Sequence, residues 1–312
     1  MFMAMSALPT ASALLISLLL CGQAAPEPPA REKAAATAPV DRAVLVAPTD
    51  LIFAQRGTLP IIISAPHGGI ARIEGSKDRE KGVTVLDANT AQLATLVALR
   101  ITEKLGRKPF VVIAQFSRKD VDANRPREAA KDDEPFNNDA AAAQYDAYHA
   151  ALRASVDACR EQWKTRAILI DVHGQARVPG AIVRGTRDGA SMINLTARFG
   201  QTAIVGPRSI FGQLAAKGYS VLPELDNPDD ASDDRKELFF NGGYITERYG
   251  SMHDDGINAI QLEFGKMRTE SLERTARDTG DAIVEFYRAF LSDGPDAASI
   301  SGHDASGPSP RP

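Results

Sequence analysis

Short apolar runs alternate with helix-like stretches through the middle of the chain. Residues 59–65 (LPIIISA) carry a β-branched run of the kind that forms a buried strand. Residues 89–105 follow with helical periodicity. Residues 109–116 (PFVVIAQF) form a second strand pattern. Residues 139–163 are a long Ala-rich helix, capped by Asn138 or Asp139. Residues 167–172 (AILIDV) are a third strand, apolar until Asp171, and residues 181–184 a short fourth. Residues 208–217 are helical and 219–222 extended. Residues 257–264 (INAIQLEF) make a late strand, and 269–291 a closing helix. This alternation predicts an α/β fold, a three-layer α/β/α sandwich around a mixed, mostly parallel sheet. Continuous apolar runs suit central strands covered on both faces.

The ends of the chain are of another kind. Residues 1–25 hold no charged side chain, and an apolar stretch at 13–20 is followed by Gly22 and Ala24 at the spacing of a cleavage site. They read as a secretory signal, with cleavage after Ala24. The stretch is too short for a membrane span, so no stable membrane insertion is expected after its removal. Anchoring as a lipoprotein through Cys21 is disfavoured, because Leu20 stands where a small residue is needed. Secreted or periplasmic localisation follows. Residues 26–44 are an Ala/Pro-rich linker, 45–292 the folded body, and 293–312 a disordered tail. Without Cys21, Cys159 is alone, and no internal disulfide can form. The net charge of −4 excludes an extended basic groove for nucleic acid.

In sheets of this class, ligands bind beyond the carboxyl ends of the strands. Four strands end there in polar groups. The first leads to His67-Gly68-Gly69, and the second to Arg118, Asp120, Asp122, Asn124 and Arg125. The third carries Asp171 and His173-Gly174, and the last carries Glu263. Two neutral imidazoles and one acid make a site for a divalent cation with an open position. Asp171, two residues before His173, faces the same side and can orient it. The third ligand is an acid after the first strand: Asp87, whose other role is a helix cap, or Glu74 as the alternative. Glu263 on an apolar strand is costly unless coupled to charge, which suits a general base. Arg118 and Arg125 present forks that match a carboxylate, with Asp120 and Asp122 to hold them. Tyr244 and His253, in a Gly-containing segment before the last strand, are placed at the mouth of the site as substrate-binding donors.

Together, SAPHGG (64–69), LDANTAQLA (86–94), SRKDVDANRP (117–126), DVHG (171–174) and AIQLEFGKMR (259–268) resemble the N-formylglutamate amidohydrolase family. That family is similar in fold and site order to the zinc carboxypeptidases, a phosphorylase/hydrolase-like architecture. The resemblance implies one zinc ion on His67, His173 and the acid. It also implies Asn124 and Arg125 as the carboxylate clamp and Glu263 as the base. Arg118 is then a donor to the oxyanion. Three features depart from the pattern. Gly68 replaces the more usual Ser of PHSG. Ile70 stands where carboxypeptidases carry their acid ligand. The leader suggests a substrate other than a cytoplasmic metabolite. The expected function is an exported zinc amidohydrolase acting on a small acidic N-acyl amino acid or peptide. The alternative is a non-catalytic periplasmic binding protein that captures acidic ligands through Arg118 and Arg125. A serine hydrolase is excluded, since no G-x-S-x-G elbow follows a strand.

Overall fold

The computed structural model describes residues 50–128, 132–225, 236–237 and 239–292. The leader, linker and tail expected at 1–25, 26–44 and 293–312 lie outside the described residues.

Seven strands form one sheet: β1 (Ile52–Gln55), β2 (Ile61–Ala65), β3 (Phe110–Ala114), β4 (Ile168–Gly174), β5 (Ala181–Gly185), β6 (Ser220–Leu222) and β7 (Asn258–Phe264). Their order is β1-β3-β2-β4-β7-β5-β6. The central strands β3, β2, β4 and β7 are parallel, while β1 runs antiparallel to β3 and β5 antiparallel to β7. The mixed, mostly parallel sheet expected from the alternating pattern is present.

Alternate residues of the central strands feed two separate cores. Ile61, Ile63, Ile168, Ile170, Ile260 and Leu262 pack under α1 (Thr90–Leu105), α5 (Ile210–Ala216) and α8 (Leu272–Phe286). Ile62, Leu169 and Ala259 face α2 (Asp139–Trp163) and α6 (Tyr244–Tyr249). Both faces are therefore covered, which is why these strands are apolar at consecutive positions rather than alternate ones. Helix α1 starts after Asn89 in the left-handed region and stops at Gly106, whose N–H closes on Thr102 O. Helix α2 is capped by Asn138, which accepts from Ala141 N at 2.9 Å.

Three local features differ from the sequence reading. Strand β1 escapes detection because it is four residues long with only alternate positions buried. The expected helix over 269–291 is broken at Ser271 into α7 (Met267–Glu270) and α8, followed by a π turn over Tyr287–Leu291. His173 lies within β4 rather than after it. The remaining short helices, α3 (Ile193–Phe199) and α4 (Thr202–Val205), cover the face of α1 and α8.

His149, on α2, is a half-buried joint. Its Nε2 donates to Ala123 O at 3.0 Å, and its Nδ1 lies 3.0 Å from Tyr249 Oη. The ring thus ties α2 to the loop that carries Asn124 and to the end of α6. Burial pushes its pKa down to about 4. In the unfolded chain the ring titrates near ~6.5, so the unfolded state binds more protons between these values. Stability from the neutral ring is complete above that range and falls as pH drops through it, by roughly 3 kcal/mol at most. Denaturant unfolding of wild type and His149→Gln from pH 7 to 4 is expected to show a steeper loss in wild type. Parallel pH profiles refute it.

Candidate metal and substrate site

The polar residues gather at the carboxyl end of the central strands, on the face covered by α2 and α6. Parallel pairing sets Asp171 beside Gln261 and His173 beside Glu263. These four residues alternate with core residues along β4 and β7, so all of them project to one face. Ser64 on β2 pairs with Asp171 in register and donates to its Oδ1 at 2.5 Å. His67 follows β2, Asp122 and Asn124 follow β3, and Asp87 precedes α1.

Two buried imidazoles meet edge to face, with ring centroids 4.8 Å apart. His67 Nε2 is 2.7 Å from Asp122 Oδ1, and His173 Nε2 is 2.7 Å from Asp171 Oδ2. An ionised carboxylate only accepts, so each Nε2 carries the proton and each Nδ1 is turned the other way. Both Nδ1 atoms converge on Asp87 Oδ2, at 3.4 Å from His67 and 3.3 Å from His173. Asp87 is itself fixed by Arg118 Nη1 on Oδ1 and by Gly174 N on Oδ2, each at 3.1 Å. Its backbone N–H binds His67 O at 3.2 Å. His67, Asp87 and His173 are the group of side chains among the described residues that can share a cation. Glu74, the alternative acid, is exposed on the loop after Ile73 and takes no part. The choice between the two acids rests on loop geometry: Asp87 returns to His67 through a backbone hydrogen bond, and Glu74 does not.

The donor set fits a divalent cation. Ligands about 2.0–2.1 Å from a tetrahedral zinc lie about 3.3 Å apart, close to the two spacings around Asp87. His67 Nδ1 is buried and has no hydrogen-bond partner, which is costly for a polar atom unless something else binds it. The charges agree. Burial works against ionised Asp87 and Asp122, yet the nearby His67, with His173 at Asp87 and Arg118 at Asp122, outweighs it and holds both carboxyls below their usual range. Burial also works against charge on His173, but Asp171, Asp87 and Glu263 raise its pKa well above the ordinary value. The cluster therefore demands positive charge at the point between the two rings. A proton on His173 or a cation in its place meets that demand.

Glu263 stands beside this point. Gln261 Nε2 donates to its Oε1 at 2.8 Å, while its buried Oε2 has no partner. Burial, reinforced by the charge of Asp87, raises its pKa against the opposing effect of the two histidines. Gln261 is in turn held by Gly243 N at 2.7 Å and Asn124 Nδ2 at 3.4 Å. Gln261 is a further site residue; its position two residues before Glu263 on one strand is the sequence signal that marks it. Asp122, expected from the sequence to hold arginines, has a second role. Asp122 does receive Arg118 Nε and Nη2 at 3.1 and 3.0 Å, but its second oxygen orients His67. Arg79 is a further contributor. Its fully buried guanidinium binds the carbonyls of Arg118, Lys81, Val83 and Glu134 and shapes the loop that delivers Asp87.

These groups border a cavity of about 550 Å³. His67, Asp87, Arg118, Asn124, Arg125, His173 and Glu263 all line it. The wall is more committed than expected, however. Asn124 Oδ1 accepts from Ile245 N at 2.8 Å, and Arg125 is paired through Nε with Asp133. Two expected donors are corrected. Tyr244 opens α6 and packs against His149, with ring centroids 5.6 Å apart, while Gly242 and Gly243 form the wall instead. His253 lies before the first residue of β7, at the opposite end of the sheet from Glu263, in a separate depression with Arg160 and Lys164. Most of β7, from Asn258 to Leu262, lies between the two positions, so closeness in sequence to β7 does not mean closeness to its carboxyl end. The missing Ser of PHSG also has a reason: a Cβ on Gly68 would lie 2.3 Å from Ala91 N at the start of α1.

No curated protein matches the chain. Its fold is similar to that of an N-formylglutamate amidohydrolase from Ralstonia eutropha JMP134, with a TM-score of 0.50 and 16% identity over 76% of this chain and 96% of that one. It is more distantly similar to an N-acetylmuramyl-L-alanine amidase from Mycobacterium smegmatis, with a TM-score of 0.33 and 15% identity over 74% of this chain and 96% of the other. The family model for N-formylglutamate amidohydrolase matches residues 59–267, from just before β2 to the first residue of α7. The chain belongs to the N-formylglutamate amidohydrolase family.

Proposed function

We propose that the chain is an exported zinc-dependent amidohydrolase that cleaves the amide bond of a small N-acyl amino acid or peptide bearing a carboxylate. The observation that carries this reading is the convergence of His67 Nδ1, His173 Nδ1 and Asp87 Oδ2 beside the unpartnered Oε2 of Glu263. Family membership supports amide hydrolysis. Two imidazoles and one carboxylate suit zinc, and the carboxylates behind each ring hold Nε2–H and so leave Nδ1 as the atom offered to a metal. The leader-like pattern of residues 1–25 supports export.

When bound, the cation supplies Lewis acidity to the amide carbonyl and makes water a competent nucleophile at neutral pH. Glu263 moves the proton. Gln261 occupies Oε1, so Oε2 is the atom that takes the proton from attacking water and delivers it to the departing nitrogen. Its raised pKa brings it closer to a range in which both transfers are feasible. Arg118 keeps Asp87 and Asp122 in place, and through Asp122 it fixes His67.

The rim bears on the substrate. Val83, Val85, Leu86 and Phe239 line the cavity and are exposed. Such a rim favours an apolar side chain or acyl group over a second charged group. A binding module has no use for a buried carboxylate oxygen without a partner, which favours the enzyme over the non-catalytic reading.

Metal analysis of purified protein is expected to find one equivalent of zinc. Chelation should remove activity toward N-acyl amino acids, and zinc should restore it. His67→Ala should lose both metal and activity; a metal-free protein that still turns over substrate would falsify the assignment. Glu263→Gln should keep its metal while kcat falls by about 10²–10⁴, and unchanged kcat removes Glu263 from the role of base. Asp122→Asn should weaken zinc binding about 10- to 100-fold in a competition titration, whereas unchanged affinity denies its effect through His67.

A further inference from the structure

Three arginines line the cavity, and they differ in what holds them. Arg118 is shared between two carboxylates, with Nη1 on Asp87 Oδ1 at 3.1 Å and Nη2 on Asp122 Oδ2 at 3.0 Å. Arg125 is paired with Asp133, and its Nη1 binds Asn124 O at 3.0 Å. A carboxylate arriving at either must displace an aspartate that is already there. Arg268 is held differently. Its Nε donates to Ala88 O at 3.0 Å, and its Nη1 donates to Phe264 O at 2.9 Å, Gly265 O at 2.7 Å and Gln175 O at 3.1 Å. All four acceptors are backbone carbonyls. They fix the plane of the guanidinium without cancelling its charge. Among the described residues, no carboxylate pairs with Arg268, and its Nη2 makes no hydrogen bond.

The anchor points also locate it. Ala88 follows Asp87, Phe264 follows Glu263, and Gln175 is two residues beyond His173. The guanidinium is thus attached to the backbone within one or two residues after three members of the reaction centre. It lies against Gly174, where an added Cβ would be 2.4 Å from Arg268 Nε. Any side chain there would expel the guanidinium. A fixed, half-buried fork with an uncancelled charge is the group best prepared to receive a carboxylate, because little ordering remains to be done on binding.

We propose that Arg268 binds the substrate carboxylate and makes the cavity select an amide flanked by a free acid. This rests on the reading of the cavity as the substrate site of an amidohydrolase. It moves the clamp from Arg125, which the family resemblance implied, to Arg268. Asn124 and Arg125 then serve as wall and scaffold, and Arg268 is a specificity residue rather than part of the proton relay.

The test compares N-acetyl-L-leucine with N-acetyl-L-leucinamide, which differ only in the charged group. Binding of each is measured by calorimetry on zinc-loaded protein in the Glu263→Gln background, where turnover does not interfere. That protein is expected to prefer the acid roughly ten- to a hundredfold. Adding Arg268→Gln should bring the preference close to one, while adding Arg125→Gln should leave it intact. Absence of the preference before Arg268 is changed, or its survival in Arg268→Gln, overturns the proposal. If Arg268→Gln does not fold, Arg268→Lys decides. It keeps a charge but not the fork, so a clearly reduced preference supports the proposal and an undiminished one overturns it. Turnover of N-acetyl-L-leucine by protein with Glu263 intact judges the hydrolase reading separately. An Arg268-dependent preference without turnover leaves the inference standing and removes that reading. Turnover with a preference that ignores Arg268 does the reverse.

Discussion

Two carboxylate–imidazole hydrogen bonds govern this site. Asp122 and Asp171 each accept a hydrogen bond from the Nε2–H of a buried histidine, and that single constraint turns both Nδ1 atoms toward Asp87. Were either ring free to rotate or change tautomer, the three donor atoms would not share a point. The constraint propagates outward. Asp171 is held by Ser64 on the neighbouring strand, and Asp122 by Arg118, which also fixes Asp87. The donor set is thus braced by the sheet on one side and by an arginine bridge on the other.

The fold supplies what these bonds require. Parallel pairing of β4 with β7 sets Asp171 beside Gln261 and His173 beside Glu263, with no loop between them to blur the distances. Placement on strands gives a precision that loops rarely match. Loops contribute the parts that come from further away: Asp87 through its backbone bond to His67, and Asp122 and Asn124 through a turn tied down by His149. Burial makes the arrangement electrostatically demanding. Asp87, Asp122, Asp171 and Glu263 crowd a space with little water, so the centre favours a cation strongly and leaves one oxygen of Glu263 unpaired. Beyond it, the arginines divide the work. Those bonded to carboxylates hold the frame, and the one bonded to carbonyls retains its charge for a ligand.

The sequence by itself determined the layering, the strand ends and the identity of His67, His173 and Glu263. Periodicity reports burial, and strands covered on both faces leave an unmistakable apolar run, as in residues 61–65 and 168–170. A polar residue at the end of such a run is conspicuous because its burial is costly. Only the tertiary structure decided between Asp87 and Glu74, since the choice depends on how the loop after β2 returns to His67. Tertiary structure alone also separated Arg268 from Arg125: both are arginines near strand ends, and what differs is whether the acceptor is a carbonyl or a carboxylate. His253 shows the same limit. Its place in the chain beside β7 said nothing of which end of the strand it occupies. Local pattern records how deeply a residue is buried, but partners distant in the chain decide what a buried charge is for.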